Sequence, residues 1–248
     1  MNPYELDGKR ILITGASSGI GRACAIAASG MGASVILTGR RRDALEETCT
    51  RCGGEDIAVI DGDITSPEFV RRLVEETGKI DGLVHAAGIA PMCPIGMLTA
   101  EHLETVMRTN YYSFLELMKY YSKSKYRNTH LSIVAISSVS FSSGWGGGVV
   151  YCGSKGALSS SVRALAMELA QKGVRVNAVC PSNIRTPLYE AGASEMNDER
   201  TLQELMKKQP LGLGEPEHVA WPVCFLLSEA SSFITGVNLP VDGGYLAQ

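Results

Sequence analysis

Ile11-Leu12-Ile13-Thr14-Gly15-Ala16-Ser17-Ser18-Gly19-Ile20-Gly21 begins as an apolar strand, breaks into a glycine-rich turn and runs into an alanine-rich segment, Arg22 to Met31. Strand, glycine turn and helix in that order make a phosphate cradle. Free N–H groups and the positive end of the helix dipole face the anion. Gly15 permits the tight turn, Gly19 removes a side chain where a pyrophosphate approaches the backbone, and Gly21 lets helix and strand pack closely. Ser17, Ser18 and Ile20 complete the turn. The spacing is Gly-x-x-x-Gly-x-Gly rather than Gly-x-Gly-x-x-Gly. A plain strand-to-helix turn is therefore the competing reading, and the surrounding chain decides between them.

Outward from that turn the chain alternates. Strands are expected at Lys9–Thr14, Ala33–Thr38, Ile57–Ile60, Ile80–Ala86, Leu131–Ile136, Val174–Val179 and Val237–Val241. Helices are expected between them. One is capped by Asp43 with Glu46 three residues on, and one opens at Ser66-Pro67. Two are long, Thr99 to about Ser124 and Val150 to Lys172, and another covers Pro216 to Ser228. Strands apolar on both faces and separated by helices imply a parallel sheet covered on both sides. Right-handed crossovers then give a doubly wound α/β Rossmann fold of about seven strands. No linker-like run divides residues 1–248, so one domain is expected.

The net charge of −3 gives no reason to expect nucleic acid or an anionic membrane as partner. No apolar run reaches the ~18–20 residues of a membrane span. The N-terminal residues lack the basic and apolar regions of a signal peptide, so a cytoplasmic location is expected. The seven cysteines are scattered and read as free thiols. Cys49-x-x-Cys52 has no second pair to complete a zinc site, so no metal is expected and the pair reads as a helix end running into Gly53-Gly54.

At the tip of the second strand, Leu37-Thr38-Gly39 leads into Arg40-Arg41-Arg42. A carboxylate there would hold ribose hydroxyls, whereas arginine accommodates a 2′-phosphate. Gly39 leaves room, and Arg40 and Arg41 offer planar, permanently charged donors. This favours NADP(H) over NAD(H), against the plainer reading of a solvated basic turn. Asp63-Ile64 either flanks an adenine or is a loop acid before a helix. His85, at the end of strand four, reads as structural. Ala87 and Gly88 after it suit close approach by a ligand or tight packing.

Chemistry is expected after strand five. Tyr151 and Lys155 share a helix face at i, i+4, and Ser138 sits at the strand's end. An ammonium beside a phenol lowers the tyrosine pKa from about 10, which suits acid–base work near neutrality. A plain amphipathic helix face is the bland alternative.

Taken together, Thr14 to Gly21, Asp63, Ala87-Gly88, Asn110, Ser138, Tyr151-x-x-x-Lys155, Asn177, Pro181 and Asp242-Gly243-Gly244 resemble the short-chain dehydrogenase/reductase family over essentially the whole chain, with a 3-oxoacyl-[acyl-carrier-protein] reductase-like member as the suspected type. The resemblance implies hydride transfer between a nicotinamide and a carbonyl or secondary alcohol. It makes Tyr151 the general acid or base, gives Lys155 the nicotinamide ribose and has Ser138 position the carbonyl oxygen. Asn110 would support a water relay to Lys155, and Pro181, Ile184 and Thr186 would lie along the nicotinamide. Two positions depart from the family pattern. Ala86 stands where Asn ties the central strands, and Ser182 stands where Gly follows Pro181.

The resemblance also makes residues 187–210 a substrate lid, holding Leu188, Tyr189, Met196, Leu202, Leu205 and Met206. Ala90–Pro94 and Val139–Val149 would form the opposite wall. This lining suits an apolar ketone or alcohol, such as an acyl thioester or a hydroxysteroid, better than a charged sugar nucleotide. Leu103, Val106, Met107, Leu158, Val162, Leu165 and Leu169 recur at helical spacing on the two long helices. Their surplus over what the sheet needs could pair between subunits, and the resemblance, whose members commonly pair these two helices, implies a homotetramer, or a homodimer. The reading from another class is a non-catalytic dinucleotide-binding regulator on the same fold.

Overall fold

The computed structural model describes residues 2–54, 56–196, 203 and 207–247. Seven parallel strands form one sheet in the order β3-β2-β1-β4-β5-β6-β7. They are β1 (Arg10–Thr14), β2 (Ser34–Gly39), β3 (Ile57–Asp61), β4 (Ile80–His85), β5 (Arg127–Ile136), β6 (Val174–Pro181) and β7 (Asn238–Val241). The helices between them are α1 (Gly19–Gly30), α2 (Arg42–Arg51), α3 (Pro67–Thr77), α4 (Ala100–Met107), α5 (Ser113–Tyr121), α6 (Val149–Leu169), α7 (Pro187–Met196) and α8 (Pro216–Leu227). This is the expected doubly wound fold. Strand order reverses between β1 and β4, and the crevice beyond their C-terminal ends is where such sheets bind ligands.

Two apolar layers hold the helices on. On one face Ile11, Ile13, Val35 and Leu37 pack against Cys24, Ala28, Val219, Val223 and Leu227 of α1 and α8. On the other, Leu12, Ile36, Leu83 and Ile133 pack against Leu73 of α3, Leu117 of α5 and Leu158 and Val162 of α6. Adjacent strand residues alternate between the two layers, as a two-sided sheet requires.

Two local expectations need correction. The long helix from Thr99 is interrupted by a π-helical turn at Arg108–Tyr112 and ends at Tyr121. One extra residue per turn does not disturb an apolar pattern enough to be read from sequence. Helix α2 begins two residues earlier than expected, with Arg41 rather than Asp43 at its cap and no side-chain capping bond. The Ser66 cap stands, its hydroxyl accepting the Phe69 N–H with Pro67 at the helix start. All seven cysteines are free, and α2 ends at Arg51 with Cys52 as its cap. No helix among the described residues is long and apolar enough to cross a membrane.

Candidate active site

A cavity of about 680 Å³ opens at the C-terminal edge of the sheet, above β1 and β4. Its floor is the glycine turn. A Cβ on Gly21 would lie 2.3 Å from the Gly15 carbonyl oxygen, and one on Gly15 would lie 2.8 Å from the Ala87 nitrogen. Strand, helix and the end of β4 thus meet at distances only glycine allows. Ser18 caps α1 without a side-chain bond, so the first N–H groups of that helix stay directed at the cavity. These features fit a dinucleotide pyrophosphate.

Beside the turn, the Arg41 guanidinium donates to the hydroxyls of Ser17 (3.3 Å) and Ser18 (3.2 Å). Arg40 also lines the cavity. Arg42 turns away to Glu46 and Asp61 at 2.8 and 2.9 Å. The three arginines therefore divide, two toward the cavity and one toward surface acids. Asp63 and Ile64 line the same end, and one Asp63 oxygen accepts from both the N–H and the hydroxyl of Thr65.

At the end of β4, Thr14 ties β1 to the backbone of β4's exit. Its hydroxyl oxygen accepts the N–H groups of Ala86 and Ala87, each at 3.1 Å, and lies 3.2 Å from His85 Nδ1. His85 is buried, and burial lowers its pKa to about 3, with the Lys155 charge acting the same way. It is a neutral tie between β1, β4 and Ser113, whose hydroxyl lies 3.5 Å from Nε2.

The opposite end carries the polar groups. Ser138 follows β5, and its hydroxyl oxygen accepts the Ser140 N–H at 3.1 Å. That leaves its O–H to donate to the Tyr151 oxygen or to a bound oxygen. Tyr151 and Lys155 stand one turn apart on α6. Lys155 Nζ donates to the Ile136 carbonyl at 2.7 Å and lies 5.8 Å from the Tyr151 ring centre. Its remaining donors face the cavity that it lines. Burial lowers the Lys155 pKa to about 8. Burial raises that of Tyr151, and the hydrogen bond with Ser138 pulls it back. The expected lowering of the phenol by the lysine is thus overturned. Desolvation dominates, and the ammonium bonds the Ile136 carbonyl instead.

Asn110 does not line the cavity but stands behind it, buried in the π turn. Its Oδ1 accepts the Ile89 N–H at 2.8 Å, and its Nδ2 donates to the Ile89 carbonyl (2.9 Å) and to Ser154 Oγ (3.0 Å). A Cβ on Gly88 would lie 3.4 Å from Asn110 Oδ1 and 3.5 Å from Lys155 Nζ. Gly88 therefore separates the two groups. Every other residue expected at the site, from Gly15 through Ala87 and Gly88 to Pro181, Ile184 and Thr186, lines the one cavity.

Trp145, from the expected wall Val139–Val149, lines the cavity, and so do Asn183 and Tyr245, which sequence reasoning missed. The Trp145 ring lies 6.1 Å from that of Tyr151 and rests on Gly148, where a Cβ would come within 2.4 Å of it. Of the expected lid, α7 is described and brings Leu188 and Tyr189 to the cavity. Residues 197–202 and 204–206, including Leu202, Leu205 and Met206, lie outside the described residues.

Residues 15–246 match a family model described as enoyl-(acyl carrier protein) reductase. The chain is 33% identical over 244 residues to the L-xylulose reductase of Mus musculus, covering 98% of each. It is also 33% identical over 248 residues to an L-rhamnose 1-dehydrogenase (NAD(P)(+)) of Sphingomonas sp. strain SKA58, covering 96% of each. Among solved structures, a short-chain type dehydrogenase/reductase from Mycobacterium marinum superposes with a TM-score of 0.88 at 32% identity, covering 100% of this chain and 99% of that one.

Proposed function

The chain belongs to the short-chain dehydrogenase/reductase family, NAD(P)-binding oxidoreductases of alcohol and carbonyl groups, and on that premise we propose that it reduces a neutral ketone or aldehyde with NADP(H), Tyr151 serving as acid for reduction and base for oxidation. The observation that carries this reading is the convergence of Ser138, Tyr151 and Lys155 on the cavity whose floor is the uncapped glycine turn.

NADP(H), when bound, supplies or accepts the hydride. The chain's own residues do the rest. Gly15, Gly19 and Gly21 with Ser17, Ser18 and Ile20 would hold the pyrophosphate, and Asp63, Ile64, Ala87 and Gly88 the adenine side. Arg40 and Arg41 would meet the 2′-phosphate, and Arg41's lean over Ser17 and Ser18 supports that preference. Ser138 donates to the substrate oxygen and orients it. Tyr151 gives that oxygen its proton. Lys155, charged below about pH 8, donates to ribose hydroxyls. Asn110 holds Ile89 and the π turn, and through them the wall behind Lys155.

For the substrate, two named relatives act on sugars by their names, and the cavity mixes an indole and Leu188 with Ser140, Ser143 and Asn183. Such a lining suits a small polyhydroxylated carbonyl compound, its C–H face on Trp145. A 3-oxoacyl thioester or a ketosteroid would use the apolar part alone. Turnover of NADPH against ketoses, 3-oxoacyl thioesters and ketosteroids tests the reading. Reduction of none of them would favour the non-catalytic regulator.

We propose one domain, in the cytoplasm, working as a homotetramer or homodimer. Val106, Leu158, Val162 and Leu169 are buried under the helices, whereas Leu103, Tyr112, Val149 and Met167 are exposed on the outer faces of the same region. That surplus supports assembly, and a monomeric mass by light scattering would remove it.

A further inference from the structure

Ser182, on the cavity wall, and Gln209, behind it, are far apart in the chain and meet. Gln209 is 3% exposed. Its Oε1 accepts from Ser182 Oγ at 2.9 Å and from the Asn183 N–H at 3.2 Å. Its Nε2 donates to the carbonyls of Asn183 (3.1 Å) and Gly212 (2.6 Å). Two donors on one side and two carbonyls on the other fix the orientation of the amide, because the flipped amide would set oxygen against oxygen. The side chain thus grips both backbone polar groups of Asn183.

The grip extends to a third segment. The single Ser182 hydroxyl proton lies between two acceptors, Gln209 Oε1 and the Asp242 carbonyl, each at 2.9 Å. The Asp242 carboxylate accepts the N–H groups of Gly244 and Leu246, which fixes the turn presenting Tyr245 to the cavity. Gly243 packs against Gln209, where a Cβ would lie 2.8 Å from Cγ. Beyond Gln209, the Gly214 N–H donates to the Asn183 carbonyl and the Arg185 N–H to the Gly214 carbonyl. Asn183, Ile184, Thr186 and Tyr245 all line the cavity, so this one buried amide braces the wall facing the chemistry.

We propose that Ser182 and Gln209 are positioning residues. They set the path of residues 182–186, and thereby the grip on the nicotinamide half of the cofactor but not on its adenosine half. The inference rests on the reading of residues 181–186 as the nicotinamide-side loop. It gives a role to the serine standing where glycine is usual. A serine adds a second donor to Gln209 Oε1 beside the Asn183 N–H, and its hydroxyl also reaches the Asp242 carbonyl.

The test is fluorescence titration of the full chain with NADPH and NADH, beside calorimetric titration with the matching adenosine-half fragments, 2′,5′-ADP and ADP-ribose. Ser182→Gly is expected to weaken the tighter dinucleotide by about three- to tenfold, as loss of one buried hydrogen bond does, with fragment affinity unchanged. Gln209→Glu puts a carboxylate against two carbonyls. It is expected to weaken the dinucleotide by about tenfold or more at pH 8 and to recover affinity as pH falls and the carboxyl regains a donor proton. Unchanged dinucleotide binding in both variants overturns the proposal. So does an equal loss of fragment and dinucleotide, which would mark a general structural role. Wild-type protein that binds neither dinucleotide sinks the cofactor reading itself, and the inference with it.

Discussion

The two ends of the cavity are built by opposite means. At the phosphate end the chain works by leaving atoms out. Gly15 and Gly21 bring backbones to distances that a single added carbon would violate. At the chemical end it works by putting polar atoms in. Ser138, Lys155, Asn110 and Gln209 are each buried, and each is held by named partners. The first kind of site fails when something is added, and the second when a partner is removed. An unpartnered buried polar group costs about 1–3 kcal/mol. Overpacking a tight contact costs a similar amount by a different route.

The largest effect is expected at the chemical end. Lys155→Ala removes a buried ammonium that donates to Ile136 and faces the cavity. Turnover should fall by about 10²–10⁴-fold, the range of acid–base contributions. Dinucleotide affinity should fall by about tenfold or more, as for lost charged hydrogen bonds. Steady-state kinetics and fluorescence titration read the two separately. The wild type sharpens the point through pH. The pKa of Lys155 is lowered to about 8 while burial raises that of Tyr151. The ammonium is present below about pH 8 and lost above it, while the phenol keeps its proton through that range. Reduction efficiency should therefore decline as pH rises through about 8, ahead of phenol ionisation. A profile flat to pH 10 would break this assignment.

Next in size is Gly21→Ala. Its methyl would meet the Gly15 carbonyl at 2.3 Å, and backbone must move to admit it. About 1–3 kcal/mol of stability should be lost, and dinucleotide binding should weaken at least tenfold, as seen in melting and titration. Wild-type affinity in this variant would show that the turn is not the phosphate floor.

The arginines come third. Gly39→Asp with Arg40→Ala and Arg41→Ala should shift the NADPH/NADH ratio of kcat/KM toward NADH by about tenfold or more, from ~1.5–3 kcal/mol of charged hydrogen bonding. A wild type that already prefers NADH removes the 2′-phosphate assignment.

The smallest effect at neutral pH lies between the two ends, at His85. Its pKa is lowered to about 3 in the fold against about 6.5 unfolded. The unfolded chain binds the extra proton between those values, so stability falls as pH drops from about 6.5, by at most about 1.4 kcal/mol per pH unit. His85→Asn should flatten that slope in acid melts. An unchanged slope would mean that another group carries it.

The same contrast explains what could be read from the sequence. Glycine turns and two-faced apolar strands are local, so β1, the cradle and the parallel sheet were legible residue by residue. The Tyr151–Lys155 spacing was legible too, being one helical turn. The electrostatics of that pair were not. How deeply a phenol is buried depends on Trp145, Ser138 and the sheet beneath it, which lie on other segments. The π turn was hidden because an extra residue per turn leaves helical periodicity nearly intact. The Ser182–Gln209 contact joins residues 27 apart, across a segment whose pattern marks neither. In the sequence, Ser182 stood out only as a departure from the family pattern.

One end of the cavity is assigned to the cofactor and the other to proton transfer, with Tyr151 as the acid. The direct measurement is single-turnover reduction by Tyr151→Phe, preloaded with NADPH deuterated at C4, on the best ketone found for the wild type. The account predicts unchanged NADPH affinity, deuterium on the carbinol carbon of whatever product forms, and a transfer rate lower by about 10²–10⁴-fold. A transfer rate within a few-fold of wild type would contradict it and hand the acid's role to another group.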